Sequence, residues 1–321
     1  MSKLLSYFDL QMFANPNTQT TGTESLSTEM KTFYSDYLID NAKPKLVHDQ
    51  FGQKHPIPKN GGKTIEFRKF EPLPKLLTPL TEGVTPDGQS LTVSKLEATI
   101  DQYGGYVTLS DQLELTAIDN NLVQATKLIG NQAGVTLDTI TREVLNGGTN
   151  VVYAGGAESR SALTAENVLT VDDIKKAVRA LKIQNAEKIG DSYVAIIHPD
   201  VAYDLTNDPK WQAVKEYDPK DWYEGEIGRI AGVRFVETTE AKIFEGGVYS
   251  TLVIADNAYG VTEVEGGGLE HIVKPLGSAG SADPLNQRST CGWKATKVAE
   301  RLVEQFMVRI ESKSTFGGAA N

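Results

Sequence analysis

The sequence predicts an α+β fold in which strands and helices mix without an internal repeat. Three observations predict it. Lys63 to Phe70 and Leu91 to Asp101 each alternate apolar and polar residues: Ile65 and Phe67 against Thr64, Glu66 and Arg68, then Leu96, Ala98 and Ile100 against Glu97, Thr99 and Asp101. A period of two reads as strands with one buried face. Leu122, Ala125, Ile129, Ala133, Leu137, Ile140 and Val144 recur at intervals of three and four, the mark of an amphipathic helix. Tyr193 to Ile197 is a short apolar run stopped by Pro199, as expected of a strand buried on both faces.

Residues 1–23 are polar and turn-rich and predict a flexible arm. Leu26, Met30, Phe33, Tyr37 and Leu38 then keep helical spacing over Ser25 to Asn41, and Pro44, Pro56 and Pro58 break the chain beyond that helix. The two alternating runs are joined by a long stretch, Leu77 to Gly88, containing Pro79 and Pro86. It is too long and irregular for a tight hairpin turn. A long hairpin arm of this kind cannot bury its own faces, so it needs something outside itself to pack on.

The helix after the arm has Asp119, Asn120 or Asn121 as a candidate cap and ends at Asn146-Gly-Gly148. Gly130 and Gly134 weaken it locally, so they are expected to permit close packing or a bend. Val171, Ile174, Val178 and Leu181 mark a second helix capped by Thr170. Its other face carries Lys175, Lys176, Arg179 and Lys182, read as a solvated basic face in preference to a nucleic-acid contact. A helix follows Pro199, strands are expected at Val233 to Thr238 and Thr251 to Ala255, and loops at 266–268 and 277–280. Leu302 to Glu311 alternates and is expected to be a terminal strand returning beside the long helix.

The chain has 321 residues, 40% of them hydrophobic, and a formal net charge of -10. That supports a sizeable core and argues against a protein that wraps a polyanion. Cys291 is the single cysteine, so no disulfide forms within the chain. The N-terminal residues lack signal-peptide character, and no apolar run approaches the roughly 20 residues of a membrane span. Folding in a reducing cytosol is expected.

No catalytic or metal-binding constellation is legible. His48, His55, His198 and His271 are far apart, and none has ligand spacing with another or with Cys291. The glycines of 225–232 fit neither phosphate-loop nor dinucleotide spacing and are read as a tight turn feeding a strand. His198-Pro-Asp200 is the best-placed candidate for chemistry, yet it reads more simply as a strand-to-helix boundary. Trp211, Trp222 and Tyr223 sit among charges and are read as anchors of a surface segment or a subunit contact. Asp283, Pro284 and Arg288 are read as a structural polar loop. No cofactor is expected.

Thr81 to Gly88, Gln102 to Asp111, Tyr193 to Asp200, Ser281 to Arg288 and Gly292 to Ala295, in that order, resemble the major capsid proteins of tailed bacteriophages. The resemblance is to the N4-type branch of the Hong Kong-type (HK97-like) capsid fold and covers about Glu24 to Glu311. It implies an N-terminal arm (1–60), an extended hairpin loop (61–110), a peripheral domain with a spine helix (111–185 and 290–312), an axial domain (186–289) and a tail (313–321). It further implies a shell subunit without enzymatic activity, forming hexamers and pentamers around DNA. Scaffolding, portal and decoration proteins would be its partners, and it would reach the virion from the host bacterial cytoplasm. Leu77, Thr81, Glu82, Val84 and Asp87 at the hairpin tip would contact neighbours. A bacterial nanocompartment shell subunit is the alternative within the same fold, and a cytosolic enzyme with a dispersed site the alternative outside it.

Overall fold

The computed structural model describes residues 46–58, 62–70, 73–79, 82–83, 85, 87–112, 121–215, 228–262, 267–280 and 283–321. The expected arm (1–23), the helix over 25–41, Trp222 and Tyr223 lie outside these. In chain order the strands are β1 (Gln53–Lys54), β2 (Thr64–Phe70), β3 (Val93–Thr99), β4 (Asp101–Ser110), β5 (Val151–Tyr153), β6 (Tyr193–Ile197), β7 (Arg229–Ile230), β8 (Val233–Glu237), β9 (Ile243–Phe244), β10 (Val248–Ile254), β11 (Tyr259–Thr262), β12 (Glu270–Lys274), β13 (Arg288–Arg301) and β14 (Met307–Ser312). The helices are α1 (Asn121–Asn146), α2 (Val171–Ile183), α3 (Pro199–Thr206) and α4 (Pro209–Lys215).

One sheet is organised by β13, which pairs antiparallel with β4 along one side and with β12 and β11 along the other; β1 adds parallel to β11. The apolar stripe of α1 lies on this sheet: Ile129, Ala133 and Leu137 pack against Cys291, Trp293 and Ala295. Gly130 and Gly134 are both buried in an unbroken helix, so they serve close packing. The second sheet runs β5-β14-β10-β6-β8-β7, with β9 on β10. Strands β6 and β10 are buried throughout, as central strands covered on both faces must be. One face holds α2 through Ile174, Val178 and Leu181, and α3 through Val201 and Leu205. The other meets the end of α1 and the first sheet through Leu145, Leu252, Ile254, Tyr259 and Met307. The side chain of Thr170 accepts a hydrogen bond from the Asp173 amide and caps α2, while Lys175, Lys176, Arg179 and Lys182 are exposed.

Three stretches differ from the sequence-based expectation. Arg288, expected in a loop, opens the fourteen-residue strand β13; Asp283 and Pro284 stay in the loop, Asp283 accepting the Arg288 amide at 2.8 Å. The strand is rich in Ser, Thr, Gly, Lys and Ala, which blurs its period. The terminal strand does not begin at Leu302. The amides of Leu302 and Val303 both donate to Ala258 O, a 3-10 turn spans Glu304–Phe306, and β14 then joins the second sheet, away from the face of α1 that packs on the first. Its six residues are all buried because both faces of the sheet are covered there, Val308 and Ile310 on the side of α2 and Met307 on the side of Leu145 of α1, and so alternation there has no solvent face to mark. Trp211, expected at the surface, is buried with its ring edge-on to Phe235 at 5.6 Å.

Leu137 is 6% exposed, whereas Ile140 is only half-buried against the same cluster. Leu137→Ala should therefore lower unfolding free energy by about 2–5 kcal/mol, and Ile140→Ala by roughly half as much. Urea unfolding of both variants tests the ranking, and a reversed order would mean the packed face is misplaced.

Candidate assembly surfaces

Strands β2 and β3 pair antiparallel from Thr64 opposite Thr99 to Phe70 opposite Val93. Ile65, Phe67, Leu96 and Ala98 share one face, as the alternation requires, and Glu66, Arg68, Lys95 and Glu97 share the other. On the charged face Arg68 donates to Glu66 and Lys95 to Glu97, each at 2.7 Å. The Arg68 hydrogen bond holds Glu66 below its usual range, and Glu97 raises Lys95. These exposed pairs solubilise the arm and add little stability.

The apolar content changes its surroundings along the arm. At the root, Ala98 and Ile100 are buried, and the Phe67 ring lies against Gly260 on β11, where a Cβ would meet it at 3.2 Å. Beyond the root, Leu73, Leu76, Leu77, Leu91 and Val93 are exposed, Leu76 at 78% and Leu77 at 85%. Such a cluster leaves apolar surface in water beyond the root of the arm. Of the expected tip residues, Leu77, Glu82 and Asp87 are exposed; Thr81 and Val84 lie outside the described residues.

The arm continues directly into β4, and there two sequence motifs meet. Gly104, Gly105 and Tyr106 stand opposite Lys294, Trp293 and Gly292. A Cβ on Gly104 would meet Trp293 O at 2.7 Å, and one on Gly292 would meet Tyr106 Cβ at 2.8 Å. The glycines thus allow the two backbones to pass closely under the aromatic rings. Trp293 Nε1–H donates to Gln132 of α1 at 3.2 Å, tying strand to helix.

The other end of α1 is held by charge. Glu311, fully buried on β14, accepts two hydrogen bonds from Arg160, both at 2.7 Å, and one from Arg309 at 2.9 Å. Arg309 also donates to Gly148 O at 3.0 Å and to Asn146 O, the carbonyls left open where the helix stops. The Arg160 guanidinium lies 3.7 Å from the centre of the Phe244 ring. Hydrogen bonding to Glu311 raises Arg160, whereas burial lowers Arg309. Near the hairpin root, His48 and Asp138 form a second buried pair, with the His48 amide and Nδ1 each 2.7 Å from an Asp138 carboxylate oxygen. Beside it Lys297 reaches Asp49 and donates to Leu137 O at 2.8 Å.

The residues singled out for chemistry make the following contacts. His198 caps α3, its Nδ1 accepting the Asp200 amide at 3.2 Å, and burial lowers its pKa. Tyr249 donates to the Asp200 carboxylate at 2.7 Å. The end of the glycine segment is a two-residue turn, Ala231-Gly232, with φ of 53° and 79°, joining β7 to β8. The fold does bring one pair together that the sequence does not announce: His271 Nε2 lies 3.2 Å from Cys291 Sγ, on adjacent strands. The β12–β13 register creates the contact, and no spacing in the sequence marks it. Burial raises the thiol and lowers the imidazole, so both neutral forms are favoured and the thiolate needed for attack is suppressed. Among the described residues no group of three or more His, Cys, Asp and Glu is placed to hold a metal ion, and no helix is long and apolar enough to cross a membrane.

The profile of the phage capsid protein family matches residues 93–299, well over half the chain. The chain belongs to this family and is a structural subunit of a capsid shell. No curated protein sequence matches it. The fold is similar to that of the capsid of cyanophage P-SCSP1u, with a TM-score of 0.66 and 14% identity over 84% of this chain and 88% of that one. It is similar also to the capsid of Ralstonia phage GP4, with a TM-score of 0.64 and 14% identity over 85% and 89%. A virus-like particle from Pyrococcus furiosus shares it more distantly, with a TM-score of 0.53 and 11% identity over 88% and 99%.

Removing Glu311 strands the buried Arg309 charge, so Glu311→Ala should cost about 3–5 kcal/mol in urea unfolding. Arg160→Ala, at a partly exposed partner, should cost clearly less. Cys291 should react with a thiol reagent only on unfolding; modification of the native subunit within minutes would contradict the buried pair.

Proposed function

We propose that this subunit is the major capsid protein of a tailed phage of the N4-type branch, assembling as hexamers and pentamers into an icosahedral shell around double-stranded DNA. The observation that carries this reading is the hairpin arm, rooted in the sheet by Ala98, Ile100 and Phe67 but exposing Leu73, Leu76, Leu77, Leu91 and Val93 beyond it. In this reading Leu77, Thr81, Glu82, Val84 and Asp87 rest on a neighbouring subunit, and the first 60 residues lie along others. Residues 111–185 with 290–312 form the peripheral part, 186–289 the axial part, and 313–321 a tail. Scaffolding, portal and decoration proteins are its partners, and assembly takes place in the host bacterial cytoplasm. The N4-type assignment rests on the motifs at 81–88 and 102–111.

The shell made by a nanocompartment protein is the second reading, favoured by the shared fold of the Pyrococcus furiosus particle. Against it stands the phage capsid family match across 93–299. Nuclease-protected double-stranded DNA inside native particles separates the two. Deletion of residues 75–90, closed by a short turn, should leave a folded subunit that forms no shells. Normal-sized particles from that variant would refute the role assigned to the arm.

A further inference from the structure

Among the described residues the strand that leaves the hairpin, β4, is an edge. It pairs with β13 on one side only, over ten residues, and among the described residues nothing pairs with its other side between Gly104 and Thr108. The direction of its backbone groups follows from two hydrogen bonds. The Asp111 amide donates to Gln287 O at 3.0 Å, extending the β13 ladder, and the Ile100 amide donates to Lys63 O at 2.9 Å, extending the β2 ladder. Odd-numbered residues of β4 thus address β13. The N–H and C=O groups of Gly104, Tyr106 and Thr108 point away from it. All three residues are exposed, Tyr106 at 76%, with Val107 exposed beside it.

Proteins that remain dispersed guard such edges with proline, lysine, a bulge or a covering loop. The stretch from Gly104 to Ser110 has no proline, no charge and no bulge in its register. We propose that this free edge is completed in the shell by an extended segment from a second copy of this chain, which adds a strand to the sheet at Gly104, Tyr106 and Thr108. A second copy is the occupant because the edge is continuous with the hairpin arm already assigned to neighbours. An unguarded edge on a protein present in many touching copies also meets another copy before anything else. Backbone pairing would supply the contact, with Tyr106 covering the incoming strand. The inference rests on the shell reading, and it adds to that reading a main-chain contact outside the hairpin tip.

Proline substitution tests the edge one residue at a time. Thr108→Pro removes an outward N–H and leaves the β13 ladder whole, a position where edge strands accept proline. It should leave the melting temperature of the subunit unchanged and cut particle yield about tenfold or more. Val107→Pro, which removes an inward N–H, should destabilise the subunit itself. Hydrogen exchange on the wild-type chain needs no variant to fold: Tyr106 and Thr108 amides should exchange about 100-fold more slowly in particles than in free subunits. A photo-crosslinking residue at Tyr106 should join two copies of the chain. Particles in which those amides exchange as fast as in the subunit, or in which the cross-link captures a different polypeptide, would overturn the proposal while leaving the shell reading intact. A chain that forms no particles at all would overturn the shell reading itself.

Discussion

The buried guanidinium of Arg309 is the constraint on which the arrangement of the two sheets depends. A helix of twenty-six residues must end somewhere, and α1 ends inside the protein, with open carbonyls facing β14. Those carbonyls need donors, because a buried unpaired carbonyl costs about 1–3 kcal/mol. Arg309 supplies them at Asn146 and Gly148, and Glu311 two residues on balances its charge. Asn146 adds a contact in the same place, accepting a 2.5 Å hydrogen bond from Ser250 on β10. The helix that carries the first sheet on its apolar stripe is thus plugged by its end into the second. Rotation of one sheet against the other would have to break this polar joint, which is more directional than the apolar cluster around Leu145 and Tyr259.

Strand β13 gives the hairpin arm a rigid mount. The arm hangs from β4, β4 is stitched to β13 over ten residue pairs, and β13 is packed on α1 through Cys291, Trp293 and Ala295. A load on the arm tip therefore reaches the long helix through close backbone contact, with Gly104 and Gly292 leaving no side chain to yield between the strands. The buried His48–Asp138 pair and the Lys297 contacts tie the segment before the arm to the same helix. Both ends of the extended hairpin are in this way fixed to one support.

What could be read in the sequence divides by the range of the interaction that decides it. Helix α1, helix α2 with its Thr170 cap, strand β6 and the β2–β3 alternation are decided by neighbours within a few residues, and the residue pattern displays them. The length of β13 is decided by three partner strands far away in sequence, and its Ser, Thr, Gly and Lys residues hide it. The place of β14 depends on a 3-10 turn and on β5 and β10; Leu302 to Glu311 alternates in sequence, but its last six residues are all buried. Trp211 reads as a surface anchor because charges surround it in sequence, while in space it faces Phe235. The Cys291–His271 contact is invisible for the same reason, since only the β12–β13 register creates it.

The surfaces agree with the interior. Among the described residues, burial raises the thiol of Cys291, His198 caps a helix, and Glu311 is saturated by two arginines. The features left open are of another kind. Among the described residues they are exposed leucines on the hairpin arm and a strand edge with outward amides at Gly104, Tyr106 and Thr108. Each is costly in an isolated subunit, the first through apolar surface left in water and the second through its invitation to pair indiscriminately. Both costs vanish when identical copies cover one another. A chain that accepts them together, on elements fixed to one helix, has its function in its contacts with itself.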